Sequence, residues 1–217
     1  MGEQGDLDAA VVFYDELDSR FGTDDSPSVR EQVAKAFINK GAVLEKQGKP
    51  DAAIAAFDEV DRRFDKDDSP GMRARVAQAL VAKGRVLGQQ QGKPDAAIAV
   101  LDEIARRFGK DDSPGMNGQL AAALGNKGVA LGQQGKFDAA IAIFDEVDRR
   151  FGKDDAPGVR KPVAMALLNK YMALVLQGKR DAAMAAYDEI ERRFGGDTSP
   201  GVRMLVDVAR ESRRRLK

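Results

Sequence analysis

The sequence contains no cysteine and no histidine among its 217 residues. Without cysteine the chain cannot form a disulfide, a thiolate metal site or a thiol nucleophile. Without histidine it lacks the commonest metal ligand and general base of proteins. We therefore expect no metal site and no cofactor.

The chain also lacks an excess of charge and a long apolar segment. Its 35 basic residues balance 35 acidic ones, whereas nucleic-acid binding usually needs a basic excess. No apolar run approaches the roughly 20 residues that span a bilayer, and the amino terminus lacks the apolar core of a signal peptide. We expect a cytoplasmic protein that binds neither nucleic acid nor membrane.

The sequence does contain a unit of about 43 residues that is repeated almost five times. Glycines anchor the copies at spacings of 43, 44, 43 and 43 residues: Gly5, Gly48, Gly92, Gly135 and Gly178. An extra glutamine within residues 89–91 accounts for the longer spacing. A fixed period of this size predicts a repeat array, in which each unit buries its apolar face against its neighbours.

Each unit is predicted to form two helices, which we name A and B. In residues 26–68 a Ser-Pro pair predicts the start of helix A, with the serine as its cap, and Gly48 predicts its end. Apolar and small residues recur along helix A at steps of three and four: Val33, Phe37, Gly41 and Leu44. Helix B starts at Pro50 and carries a similar stripe: Ala53, Phe57, Val60 and Phe64.

Residues 36–60, AFINKGAVLEKQGKPDAAIAAFDEV, resemble the tetratricopeptide repeat, a helical-hairpin family with a period of 34 residues. Phe37 and Phe57 take the aromatic positions of that family, and Gly41 takes the small position where A and B touch. The unit here is about nine residues longer, and a lysine replaces the usual leucine at Lys40, Lys83, Lys127 and Lys170. The resemblance implies an all-α, right-handed solenoid of antiparallel helical hairpins, in an elongated variant.

The repeat boundaries predict one domain over residues 1–217 with ten helices. An isolated helix B comes first, within residues 5–25 and starting near Leu7, and a last helix A comes at 199–217. Four A–B units lie between them, at residues 26–68, 69–112, 113–155 and 156–198. In the last helix Arg210 and Glu211 replace core leucines, so we expect a polar capping helix.

The first helix B has no helix A to cover its apolar residues, which are Ala10, Phe13, Tyr14 and Leu17. Either an earlier unit precedes this segment in a longer protein, which we favour, or another chain covers this face. In the second case the last helix of one copy takes the missing A position of the next. Such a head-to-tail contact builds rings or filaments.

Carboxylate pairs recur in every unit, but we expect them to be structural. Asp67-Asp68 and its equivalents precede a proline-started helix, where capping suffices, and they lack the ligand pattern of a calcium loop. Asp58-Glu59 and its equivalents alternate with arginines on a helix face, which predicts ion pairs rather than the two unlike carboxylates of a glycosidase. The glycines at 84 and 88 occupy helical packing positions, not a phosphate loop. We expect no catalytic residues and no enzyme.

By resemblance to the repeat family, helix A supplies an inner, concave surface that binds partners. The residues that we assign to this surface vary between copies: Asn39, Arg85, Asn126, Met165, Leu168, Asn169, Met172, Val175 and Leu176. Three asparagines share one position, which Ala82 interrupts. Their amides either hold a peptide backbone or bridge neighbouring A helices, and the sequence favours neither alternative.

The last complete unit is the most apolar along this surface, from Met165 to Leu176. This row is either covered by the last helix or open to a partner, and we favour a partner, with a homodimer as one form. Tyr171 stands where the family has a small residue, so we expect the A–B contact to widen or rotate there. The predicted function is a non-catalytic scaffold for a protein or peptide partner. The alternatives are a self-assembling structural module and a sensor or regulatory domain of a larger protein.

Overall fold

A computed structural model describes residues 2–113 and 115–215, and these contain ten α-helices and no strand. In chain order the helices are α1 (Gly2–Phe21), α2 (Pro27–Lys46), α3 (Pro50–Phe64), α4 (Pro70–Gln89), α5 (Pro94–Phe108), α6 (Met116–Gln133), α7 (Phe137–Phe151), α8 (Pro157–Leu176), α9 (Arg180–Phe194) and α10 (Pro200–Arg215). The even-numbered helices are A helices, and the odd-numbered ones are B helices. The predicted all-α solenoid of helical hairpins is confirmed.

The helices form two compact units, Met1–Met116 and Asn117–Lys217. In the first unit α2 packs against α1, α3 and α4, and α4 packs against α3 and α5. In the second unit α8 packs against α7, α9 and α10, and α10 also packs against α9. Every A helix named here therefore contacts a B helix before it, as expected for a repeat array.

Each hairpin turn is closed by a glycine in the left-handed region, where a side chain would be strained. Gly48 has φ +70°, and its counterparts are similar: Gly92 at +61°, Gly135 at +74° and Gly178 at +70°. At the first turn the amide of Lys49 donates to the carbonyl of Leu44 at 2.9 Å. The predicted ends of the A helices are confirmed at these four turns.

The extra glutamine is absorbed in one of these turns. There Lys93 donates its amide to the carbonyl of Leu87 at 2.9 Å, one residue further back than in the other turns. Gln91 still reaches the carboxylate of Asp51, as Gln47 reaches that of Asp8 at 2.9 Å. The following helix therefore starts in the same way despite the added residue.

The first helix differs from its prediction. α1 begins at Gly2 instead of near Leu7, and Gly5 lies inside the helix instead of ending one. Gly5 does not have the positive φ of the turn glycines. Residues 2–6 are helical as well, so α1 starts earlier than predicted.

Proline begins α2, α4, α8 and α10, as predicted, but the serines before α2 and α4 do not cap these helices with their side chains. Ser69 instead donates its amide and its hydroxyl to Asp67, at 3.0 and 2.7 Å. Ala156 and Ser199 donate their amides in the same way, to Asp154 and Asp197. The first aspartate of the acidic pair therefore shapes the turn, which supports its structural interpretation. Pro114 lies outside the described residues.

The small position of helix A holds a glycine because the aromatic or aliphatic residue of helix B presses against it. A Cβ added to Gly84 would lie 2.8 Å from Cδ2 of Leu101. A Cβ added to Gly128 would lie 2.8 Å from Cζ of Phe144, which is closer than real Cβ contacts. The Phe144 side chain is 2% exposed and leaves no room for a larger neighbour.

The lysines that replace the family's leucine form ion pairs with the preceding B helix. Nζ of Lys83 lies 2.6 Å from Oδ1 of Asp58, and Lys40 and Lys170 pair in the same way with Asp15 and Asp145. These pairs are partly exposed, so each contributes about 0–1 kcal/mol. They explain the departure from the family pattern, since a lysine stem packs apolar surface while its ammonium stays in water.

The predicted ion pairs along the B helices are present. Glu59 accepts hydrogen bonds from Arg62 at 2.6 and 2.8 Å, and Glu103 and Glu189 pair likewise with Arg106 and Arg192. The hydrogen bond from Arg62 is the main cause that lowers the pKa of Glu59 to about 2. These carboxylates are held ionised by arginines, as expected for a solvated helix face.

Candidate functional site

The asparagine row lies half-buried on the A helices, and its amides are unpaired. Asn39 is on α2, Asn126 on α6 and Asn169 on α8. Among the described residues none of the three side chains hydrogen bonds to a protein group. No hydrogen bond in the described structure therefore supports the alternative in which these amides bridge neighbouring A helices.

In the first compact unit, Met1–Met116, the side chains around the asparagine row are charged, and they already form ion pairs within the chain. Arg85, which we assigned to partner binding, donates through both terminal nitrogens to Glu45. Arg75 donates to Glu31 at 3.1 Å. Since Arg85 already holds a carboxylate, a ligand must displace Glu45 to use it.

In the second unit the same surface is neutral and open. Gly125 and Gly132 of α6 have empty space where a Cβ would be. α6 and α8 approach closely, because a Cβ on Gly118 would lie 2.7 Å from the carbonyl oxygen of Gly158. Asn126 and Asn169 thus lie on neighbouring helices beside two glycine-lined gaps.

The apolar row of the last complete unit is only partly available. Leu168, which we assigned to the binding surface, is only 7% exposed. Its burial is consistent with the packing of α10 against α8, which favours partial covering by the last helix. Met165 and Val175 are half-buried, whereas Met172 and Leu176 are 38% and 69% exposed.

Tyr171 is fully buried, so the unit accommodates a large residue at the small position. Its ring lies 6.2 Å from the ring of Tyr187 on α9, and its hydroxyl lies 3.3 Å from Oγ of Ser212 on α10. Tyr171 of α8 therefore contacts both α9 and α10.

The last helix is capped on one side and apolar on another. Arg210 donates to Glu191 of α9 at 2.6 and 2.9 Å, and this hydrogen bonding is the main cause that lowers the pKa of Glu191. Met204 and Val208, however, are 58% and 47% exposed and border an open cleft of about 800 Å³ that also includes Met172. The predicted binding surface did not include Met204 and Val208, although they lie four residues apart and off the buried stripe of the helix.

The apolar face of α1 is partly exposed. Phe13 is 59% exposed, while Ala10, Tyr14 and Leu17 are half-buried. Val12 and Phe21, which the prediction did not include, are 65% and 47% exposed. A second cleft of about 320 Å³ lies between α1 and α2: Leu17, Phe21, Ser28, Val29, Gln32 and Val33.

The described residues form neither a metal-binding cluster nor a membrane-spanning helix. No cluster of three or more acidic residues in this part of the chain could hold a metal ion. Within residues 2–113 and 115–215, no helix combines the length and the hydropathy that a membrane span needs.

Comparisons with known proteins agree with the repeat architecture. The tetratricopeptide repeat family matches at residues 38–112, 82–156 and 127–198. A crystal structure of a thermophilic TPR protein from Thermus thermophilus superposes with a TM-score of 0.55 at 18% identity. That match covers 95% of this chain and 92% of the other. No curated protein matches the sequence significantly. Because the family matches span most of the chain, the protein belongs to the tetratricopeptide repeat family.

Proposed function

We propose that this protein is a non-catalytic scaffold that binds an extended peptide segment of a protein partner across α6 and α8. Repeats of this family generally mediate protein–protein interaction. The observation that supports this particular surface is the pair of unpartnered amides, Asn126 and Asn169, on adjacent helices. A carboxamide both donates and accepts, so it can hydrogen bond to a peptide backbone in either sense.

The spacing of the two helices suits an extended chain. Packed helices lie about 8–10 Å apart, and an extended peptide rises about 3.3 Å per residue. The two asparagines would therefore meet backbone groups about three residues apart. This separation is short enough for one peptide to contact both amides.

The surroundings favour apolar or small side chains in the ligand. Gly125 and Gly132 leave room for side chains between the helices, and Met172 adds an exposed, flexible apolar contact. The first unit offers instead the Arg85–Glu45 pair, which a ligand must break. We therefore place the peptide on the second unit.

The proposal is tested with a peptide selected by phage display on the full chain. Its affinity is then measured by fluorescence anisotropy. Asn126→Ala and Asn169→Ala are each expected to weaken binding about fivefold, since a lost hydrogen bond costs about 1 kcal/mol and tenfold corresponds to about 1.4 kcal/mol. Asn39→Ala removes the same repeat position in the first unit and is the matched control.

The outcomes separate the two surfaces. Unchanged affinity in both second-unit variants contradicts the proposal. A loss confined to Asn39→Ala places the peptide on the first unit instead. Circular dichroism checks that each variant keeps its helicity.

A further inference from the structure

We propose that copies of this protein associate head to tail, with α10 of one copy docking on α1 and α2 of the next. In this contact α10 takes the position over α1 that a helix A takes in the complete hairpins, and α1 takes the position of helix B beside α10. The occupant of both bare faces is thus a second copy of the same chain. This inference does not depend on the peptide surface proposed above.

Exposed large apolar side chains occur only toward the two ends of the described chain. Three of them lie on α1, namely Val12, Phe13 and Phe21. The other four lie on α8 and α10: Met172, Leu176, Met204 and Val208. The described helices between α1 and α8 expose no such residue. Solvent-exposed apolar patches of this kind mark association sites.

The exposure on α1 is that of an uncovered helix B. Phe21 is 47% exposed, whereas the same repeat position is 3–5% exposed in the other four B helices: Phe64, Phe108, Phe151 and Phe194. Phe13 is 59% exposed, whereas its counterparts are buried (Ala56 and Ala186) or half-buried (Val100 and Ile143). In the complete hairpins helix A lies over this side, so a docked helix A would bury both phenylalanines. The cleft of about 320 Å³ between α1 and α2 lies on the same side.

The charges of the two helices are complementary. Residues 5–21 contain five acidic side chains and one arginine, whereas α10 contains five arginines and two acidic side chains. Since Asp15, Asp18 and Arg210 already pair within the chain, the complementary charges are those at the start of α1 and at the end of α10. In an antiparallel hairpin the end of helix A lies beside the start of helix B. Arg214 and Arg215 of one copy would then lie near Asp6 and Asp8 of the next. Pairing α1 with α1, or α10 with α10, would instead bring like charges together.

The contact is expected to be weaker than an internal hairpin. Asp207 stands at a position where the earlier A helices have buried alanines, such as Ala34 and Ala164 at 0% and 1% exposure. A carboxylate there needs a partner, and the exposed Lys35 on α2 offers one. Arg214 occupies the small position, but the burial of Tyr171 at the equivalent position shows that a large side chain is accommodated.

Sedimentation velocity of the full chain, from about 1 µM to about 1 mM, tests the assembly. The average mass is expected to rise steadily above 23.4 kDa with concentration and not to stop at a dimer, because a head-to-tail contact leaves a free face at each end. A constant mass of 23.4 kDa throughout this range overturns the proposal.

Complementary variants test the polarity of the contact. Phe13→Glu blocks the α1 face and Met204→Glu blocks the α10 face, so each variant alone should lose at least about tenfold in association. Mixed together, they retain one intact face each and should form a complex of two chains that grows no further. Ala99→Glu, on the exposed face of α5, is the matched control and should assemble like the unmodified chain.

Two results contradict a head-to-tail contact. Either single variant that still dimerises indicates a symmetric interface, and a mixture that stays monomeric shows that the two faces do not bind each other. Circular dichroism verifies the fold of each variant. Phe13→Ser and Met204→Ser provide a milder second pair if a glutamate lowers helicity.

Discussion

Glycine has two distinct effects within one helix of this protein. Gly128 of α6 lies against the Phe144 ring, so its missing side chain allows two helices to touch. Gly125, one turn earlier, faces open space. Packing therefore requires glycine at position 128, whereas at position 125 glycine only destabilises the helix.

Alanine substitutions at these two glycines should have opposite effects. Gly128→Ala is expected to destabilise the fold by about 1–3 kcal/mol because the new Cβ overlaps the Phe144 ring. Gly125→Ala should stabilise it by about 0.5–1 kcal/mol, since alanine favours the helix and meets no neighbour. Urea unfolding followed by circular dichroism measures both. Equal effects would show that packing does not select glycine at 128.

A second residue-scale prediction concerns the turn carboxylate Asp197. Hydrogen bonds from Ser199, followed by those from Arg160, lower the pKa of Asp197 to about 2. A carboxyl whose pKa is lower in the folded protein stabilises it above its ordinary value near 3.8, and this contribution disappears as the pH falls through about 2.

Asp197→Asn should therefore lower stability by about 1 kcal/mol at pH 7, and the difference from the unmodified chain should vanish between pH 4 and pH 2. Thermal unfolding at several pH values measures it. Asp112→Asn, in an exposed loop position, is the control and should change the stability little. A difference for Asp197→Asn that is independent of pH would contradict the role of its charge.

At the scale of the element, the hairpin of α8 and α9 departs from the other units through Tyr171. Its ring is fully buried and contacts Tyr187, and its hydroxyl faces Ser212 of α10. The side chain thereby fills space that the last helix closes. We infer that Tyr171 fixes the position of α10 on α8.

Replacing Tyr171 with the glycine of the other units should be strongly destabilising. Tyr171→Gly removes a fully buried ring and leaves a cavity, at a cost of about 3–5 kcal/mol. Tyr171→Phe keeps the ring and loses only the contact with Ser212, so it should cost less than about 1.5 kcal/mol. Thermal unfolding compares the two. If Tyr171→Gly is as stable as Tyr171→Phe, neighbouring residues refill the site.

The helices and turns were largely predictable because each sequence signal for a helix boundary recurs in several repeats. Turn glycines and proline-started helices recur at fixed spacing, so their bounds followed from the pattern. Gly5 was the exception, because it lies inside α1 and does not have the positive φ of the turn glycines. The role of serine was also misassigned, since an aspartate two residues earlier competes for its hydroxyl.

The candidate site was less predictable than the fold. Whether a side chain is available depends on its neighbours in space, which a repeat position does not reveal. The repeat position predicts Leu168 as a lining residue, but α10 packs on its helix; it predicts Arg85 as available, but Arg85 pairs with Glu45. Met204 and Val208 were overlooked because Arg210 and Glu211 suggested a polar cap.

At the scale of the whole molecule, stability is expected to be uneven along the chain. In a repeat array each helix is held mainly by its neighbours, so a terminal helix with one open side is held least. In the part of α1 whose side chains are described, residues 5–21, none is buried, whereas α3 buries five residues including Phe57 and Phe64.

Hydrogen exchange should reveal this difference directly. Amides of α1 are expected to exchange at least about tenfold faster than those of α3 in dilute protein, because α1 opens without disturbing the rest of its unit. Mass spectrometry of peptic fragments measures both helices in one sample, with α3 as the internal reference. Equal protection of the two helices at high dilution would contradict an unevenly stable array.

The turn that accommodates the extra glutamine bears on how the number of repeats can change in evolution. Gly92 keeps its left-handed conformation and α5 starts as its counterparts do, although the chain is one residue longer there. A junction that tolerates an altered length does not demand an exact join when genetic material is duplicated or exchanged. The 43-residue repeat can then be gained or lost as a whole, because each repeat packs only against its neighbours. Arrays with more or fewer repeats can therefore arise without changes to the core of the other repeats.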